Sequence, residues 1–142
     1  MMKLPLTGGC QCGKLRYEVL QAPLATYTCH CTDCQHITGS AFSLAITVPD
    51  AAFHLTQGEP WLVERRAASG RTVARWLCPD CGGWIANGPQ PGVAPDGMIR
   101  RVRAGTLDDN SWLRPTAHFW TRNKQPWVIL PAGDQIFETQ PD

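Results

Sequence analysis

Seven cysteines fall into three tight groups: "GGCQCG" with Cys10 and Cys12, "CHCTDC" with Cys29, Cys31 and Cys34, and "CPDCGG" with Cys78 and Cys81. This spacing constrains the fold more than any other feature. In a CxxC turn followed by glycine, backbone N–H groups can point at the sulfurs while both thiolates converge on one metal. Such a pair needs a second pair to complete a tetrahedron around zinc, with Zn–S distances near ~2.3 Å. The glycine-flanked CxC of Cys10 and Cys12 is the natural partner for Cys78 and Cys81. A chain that brings them together must tie its N-terminal end to a central strand.

The redox argument points the same way. "MMKLPLTGGCQCG" lacks the apolar stretch of a secretory signal, and no run approaches the ~20 apolar residues that span a bilayer. The expected compartment is therefore the cytoplasm, where closely spaced cysteines act as metal ligands before they form disulfides. Pairing seven thiols as disulfides leaves one over, whereas metal groups of four and three use them all.

The remaining pattern is β throughout. "KLRYEVL" (14–20) alternates apolar and polar side chains as a half-buried strand does, and "AFSLAITV" (41–48) stops at a Pro-Asp turn. "WLVERR" (61–66) and "RTVARWLC" (71–78) flank "AASG", a hairpin turn in which Gly70 takes the unusual backbone angle. "GGWIANG" (82–88), "MIRRVRAG" (98–105), "TAHFWT" (116–121) and "QPWVIL" (125–130) complete the series, with a Pro- and Gly-rich loop at 89–97. No helical period persists, and at most one helical turn follows the cysteines, from Asp33 to Ile37. Twelve prolines and thirteen glycines suit short antiparallel strands joined by turns. The expectation is a mainly β chain with little helix, forming a single domain over residues 1–142. Its 43% hydrophobic content, with six Trp and four Phe, supplies a core for one domain of that length.

Charge excludes some functions. Thirteen Lys and Arg against twelve Asp and Glu leave no strongly basic face, which argues against a nucleic-acid binder. Arg65-Arg66 and Arg100-Arg101-Val102-Arg103 are expected on solvated strand faces. Nothing resembles a serine elbow, a Walker loop or GxGxxG. His54 and His118 sit in strand-like stretches and are expected to be structural.

With four cysteines committed to one zinc, Cys29, Cys31 and Cys34 suggest a second zinc with three ligands and an exchangeable fourth position. Other readings of the trio remain open. His36 or Asp33 can close the site and make it structural; His30, between two cysteines in an extended segment, should face away. A Cys31/Cys34 redox pair lacks the βαβ surroundings of thioredoxin-like motifs. A zinc-buffering or redox-sensing protein, and a zinc-stabilised β binding module with both metals structural, also fit seven cysteines. The turn "HITGS" (36–40) is expected to offer backbone donors to a carboxylate beside the metal.

The motifs "GGCQCGKLRYEV", "CHCTDCQHITGSAFS", "CPDCGGWI", "VRAGTLDD" and "HFWTRNKQPWV" together resemble the glutathione-dependent formaldehyde-activating enzyme family, which also includes the centromere protein V domain. The resemblance covers nearly the whole chain. It implies a zinc-containing β-tent architecture, with Cys10, Cys12, Cys78 and Cys81 holding a structural zinc. It likewise implies a catalytic zinc on Cys29, Cys31 and Cys34, two zinc ions per chain in all. The implied activity is carbon–sulfur lyase chemistry on small-molecule partners, a thiol and an aldehyde. In the family's named reaction glutathione is the co-substrate and S-hydroxymethylglutathione the adduct.

Overall fold

The structure is a computed structural model and describes residues 1–66, 70, 72–89 and 97–140. Eleven short strands form among them: β1 (Leu6–Gly9), β2 (Arg16–Val19), β3 (Ala25–Cys29), β4 (Ser43–Pro49), β5 (Phe53–Gln57), β6 (Trp61–Arg66), β7 (Thr72–Leu77), β8 (Trp84–Asn87), β9 (Ile99–Arg103), β10 (Ala117–Phe119) and β11 (Gln135–Ile136). The helix α1 (Thr32–Thr38) follows β3 directly and ends at Gly39, whose φ of 63° lies in the left-handed region that glycine adopts without penalty.

The strands make two sheets, one of order β1-β2-β5 and one of order β11-β10-β3-β4-β9-β8-β7-β6. Pairings are antiparallel except at one end of the larger sheet, where β10 runs parallel to both β3 and β11. The fold is mainly β, as the sequence pattern requires. The expected strand at 125–130 does not form. Pro126 has no N–H to give to a ladder, and the Val128 N–H turns back onto the Gln125 carbonyl at 3.1 Å. The edge position goes instead to β11. In the β6–β7 hairpin the tip lies outside the described residues apart from Gly70, whose φ of 87° is the one anticipated. Most of the loop expected at 89–97 also lies outside them, at 90–96.

Alternation along the strands sends side chains to opposite faces of the larger sheet. One face meets the smaller sheet: Ile46, Val48, Trp76 and Val102 pack with Leu6, Tyr17, Val19 and Phe53 in one buried cluster. Phe53 meets Trp76 edge-on, with ring centroids 5.7 Å apart. On the other face Tyr27 stacks on Phe119 at 4.6 Å, beside Cys29, Ala45 and Ala117.

The arginines of β9 overturn the expectation of a solvated face. Arg100 is only 2% exposed and Arg103 only 8%. Arg100 points to the core side, with its guanidinium carbon 4.1 Å from the Trp76 ring centroid and 5.4 Å from that of Phe53. Its Nε and Nη2 both lie 2.6 Å from Asp50 Oδ1. Gly88, at φ 151°, passes so close that a Cβ there would run into the guanidinium. Removing Asp50 leaves the buried guanidinium without its carboxylate, with only long bonds to the Pro89 carbonyl at 3.4 and 3.5 Å. Asp50→Ala should therefore cost about 3 kcal/mol of stability in a denaturant titration. A loss within experimental error would show that the Pro89 carbonyl and the aromatic neighbours suffice to hold Arg100.

Candidate functional site

The first group of thiols closes a joint between the two sheets. Cys10 directly follows β1 and Cys12 lies in the turn leading to β2; Cys78 and Cys81 lie in the turn between β7 and β8. All four Sγ atoms are within 4.8 Å of one another. The Cys10–Cys12 and Cys12–Cys78 separations are 3.7 and 3.6 Å. Four sulfurs bound to one zinc stand about 3.8 Å apart at the corners of a tetrahedron, so the measured spacing fits that metal.

Backbone amides point at these sulfurs as the turn motifs demand. Leu15 N–H reaches Cys10 Sγ at 3.2 Å, and Asp80 N–H and Cys81 N–H reach Cys78 Sγ at 3.4 and 3.5 Å. The N–H groups of Cys12 and Gly83 hold the Cys81 thiol down at about 6. These donors favour thiolate, the form that binds metal. Across the same joint Lys14 Nζ and Asp80 meet at 3.0 Å, an exposed pair worth little by itself.

The second group is local. Cys29 ends β3, Cys31 caps the N-terminus of α1, and Cys34 sits in the helix's first turn. The extended backbone at Cys31 (φ −62°, ψ 155°) turns its sulfur to accept the Cys34 N–H at 3.2 Å. The three Sγ atoms are again within 4.8 Å of one another. Within the trio, hydrogen bonds from the Cys29 and Cys31 thiols push Cys34 down to about 3. Cys29 moves upward, because Cys31 and Cys34 hold its proton and burial disfavours its charge.

The histidines beside this trio are engaged elsewhere. His36 is exposed, and its Nδ1–H donates to the Thr32 carbonyl at 2.8 Å. His30 is fully buried with Nε2 2.9 Å from Thr28 Oγ1, facing away as its extended position predicted. Thr28 Oγ1 also lies 2.6 Å from His118 Nδ1, while His118 Nε2 is 2.8 Å from Asp134 Oδ2. The Asp134 carboxylate can only accept, so His118 Nε2–H donates to it, and the Thr28 hydroxyl bridges the two imidazoles. His30 Nδ1 is buried without a hydrogen-bond partner, and burial pushes that imidazole down to about 4. His118 is structural as expected, and His54 is exposed on β5 in register with Glu18.

The trio opens into a cavity of about 270 Å³. Its walls include the aromatic rings of Tyr27, Trp84, Phe119 and Trp120, and its floor includes Ser43, whose buried hydroxyl has no hydrogen-bond partner. Arg65, Arg75, Arg101 and Arg103 line it too. The sequence reading did not single out these arginines as functional. The available signal was the two-residue alternation in β9, which puts Arg101 and Arg103 on the face opposite Arg100.

The "HITGS" turn does not border this cavity. Gly39 N–H is already bonded to the Gln35 carbonyl at 2.9 Å and Ser40 N–H to Thr38 Oγ1 at 3.1 Å. His36, Ile37 and Thr38 are the last residues of α1 itself, so the expected backbone donors are spent on ending the helix.

Among the described residues no helix is long and apolar enough to cross a membrane. A solved structure of a Rhodobacter sphaeroides protein has the same fold, with a TM-score of 0.54 at 17% identity, covering 92% of this chain and 98% of that one. No curated protein matches the chain. Residues 5–123 match the family model described as glutathione-dependent formaldehyde-activating enzyme, a span that contains all seven cysteines. With both thiol groups assembled inside the matched span, the chain belongs to the glutathione-dependent formaldehyde-activating enzyme family.

Proposed function

We propose that the protein is a carbon–sulfur lyase-type enzyme that joins glutathione or a related thiol to a small aldehyde, and cleaves the adduct in reverse. The observation that carries this reading is the asymmetry of the two thiol groups. Cys10, Cys12, Cys78 and Cys81 form a complete set that would hold a structural zinc. Cys29, Cys31 and Cys34 would hold a catalytic zinc while facing a cavity, with neither His30 nor His36 turned to close the site. A zinc held by these three thiolates would supply an exchangeable position that favours the nucleophilic thiolate form of an incoming thiol.

The reaction balances simply. The thiol sulfur bonds to the carbonyl carbon, the C=O π pair moves to oxygen, and the proton lost by the thiol ends on that oxygen. The chain's own residues then have separate tasks. Tyr27, Phe119 and Trp84 exclude water from one side of the cavity. Ser43 is buried in the cavity lining beside Cys34, and its O–H would turn to that sulfur and help hold it as thiolate. A binding module with two structural metals would need a fourth ligand at the trio, and neither neighbouring histidine provides one.

Thiols add to formaldehyde readily without help, so the test must read exchange at equilibrium. Two-dimensional exchange NMR on 13C-formaldehyde and glutathione should show faster interconversion with the zinc-loaded protein than without it. Ser43→Ala, which removes a donor to Cys34, should slow that exchange about ten-fold, the worth of one hydrogen bond of ~1.4 kcal/mol. Equal exchange with and without the wild-type protein would remove formaldehyde as the electrophile.

A further inference from the structure

The cavity beside the trio is strongly one-signed. Arg65 is paired with Asp33 at 2.9 Å. Among the described residues, no carboxylate lies within salt-bridge distance of Arg75, Arg101 or Arg103. Two strands, β7 and β9 on either side of β8, bring these guanidinium groups to one place. Arg75 on β7, Asn87 on β8 and Arg101 on β9 are register partners, so their side chains emerge on the same face of adjacent strands. Arg103 lies two residues further along β9 on that same face.

Arg103 is the most telling member. It is 8% exposed, lines the cavity, and its Nε has no hydrogen-bond partner. Its guanidinium stacks 4.2 Å from the Trp84 ring centroid, with Arg75 also over that ring at 5.4 Å. The indole is fixed in turn by Nε1–H donation to Asn87 Oδ1 at 2.7 Å. Burying a guanidinium without a carboxylate partner is costly unless an anion completes it. Burial, together with Arg65 nearby, also holds Arg75 below the usual guanidinium range. Guanidinium forks match carboxylates in shape and charge.

Building on the thiol reading above, we propose that Arg103, seconded by Arg101 and Arg75, binds a carboxylate of the thiol substrate and so selects acidic thiols over neutral and basic ones. Sulfur on the trio and carboxylate on the arginines then fix two points of one small molecule, which orients it for addition.

The test uses cobalt in place of zinc, because the thiolate-to-metal band reports sulfur binding without turnover. 3-Mercaptopropionate, 2-mercaptoethanol and cysteamine are titrated at equal thiolate concentration. Wild-type protein should bind 3-mercaptopropionate at least ten-fold more tightly than 2-mercaptoethanol, and cysteamine most weakly. Arg103→Met should abolish that preference while leaving 2-mercaptoethanol within two-fold. Arg101→Met, at a less buried position, should reduce it and guards against misfolding of the first variant. Equal binding of the three thiols, or a preference that survives both substitutions, overturns the proposal.

A second readout separates the clamp from the thiol site. Propionate, which has no sulfur, should shift an arginine Nε resonance of 15N-labelled protein, and the shift should vanish in Arg103→Met. No shift overturns the clamp even if thiols move the cobalt band. A shift with no response of cobalt to any thiol supports the clamp and removes the thiol reading instead.

Discussion

Cys78→Ser should lower the melting temperature by roughly 15 °C or more, and Cys34→Ser by only a few degrees. The difference follows from what each thiol group joins. Cys10 and Cys12 belong to the turn between β1 and β2 in the smaller sheet, and Cys78 and Cys81 to the turn between β7 and β8 in the larger one. Metal held by all four would lock the sheets together at a point 66 residues apart along the chain. Structural zinc sites in small domains contribute on the order of 10 kcal/mol, against total stabilities of about 5–15 kcal/mol. Losing about half of that would shift a chain of this size by roughly 3 °C per kcal/mol. Cys29, Cys31 and Cys34, by contrast, sit on a single β3–α1 connection and restrain little of the chain. Thermal melts of the two variants, each purified with zinc under reducing conditions, provide the comparison. Equal losses would contradict the division into a structural and a catalytic centre.

Glutathione affinity should rise about ten-fold per pH unit below the free thiol pKa of about 8.5, and level off above it. The sign follows from binding the thiolate: each molecule bound releases one proton to solvent, so acid competes with binding. The same protein should carry two zinc ions per chain, and Cys31→Ser should carry one and lose the thiol-dependent cobalt band. Calorimetry in buffers of different ionisation enthalpy measures the proton release, and elemental analysis the metal. One zinc per chain in the wild-type protein, with the trio freely alkylated, would remove the catalytic centre. A pH-independent affinity would mean that glutathione binds without its sulfur on the metal.

The trio and each cysteine pair could be read from the sequence because their geometry is local, and pairing Cys10 and Cys12 with Cys78 and Cys81 followed from zinc's need for four ligands. A CxxC turn followed by glycine presents N–H groups to sulfur whatever the rest of the chain does, and Cys31 and Cys34 are brought together by one helical turn. The strands at 61–66 and 98–105 were equally legible, since alternation is carried by neighbouring residues. Local signals failed where they compete. At 125–130 the apolar run looked like a strand, yet Pro126 and the bond from Val128 to Gln125 make it a turn. The two-residue β11 has too few residues to show a period.

The sequence alone therefore determined which cysteines could meet and the β character of the chain, and it indicated at most one helical turn at Asp33–Ile37, where the structure has the seven-residue helix Thr32–Thr38. Tertiary structure decided what surrounds the open trio. Arg65, Arg75, Trp84 and Arg103 come from four different strands, and only the order β9-β8-β7-β6 sets them around one cavity. Likewise, "RRVR" does not reveal that Arg100 lies against Trp76 and Asp50 while Arg101 and Arg103 face the sulfurs. The reason is that strand alternation separates the two faces of a sheet, but which face is core and which is cavity depends on what packs against each.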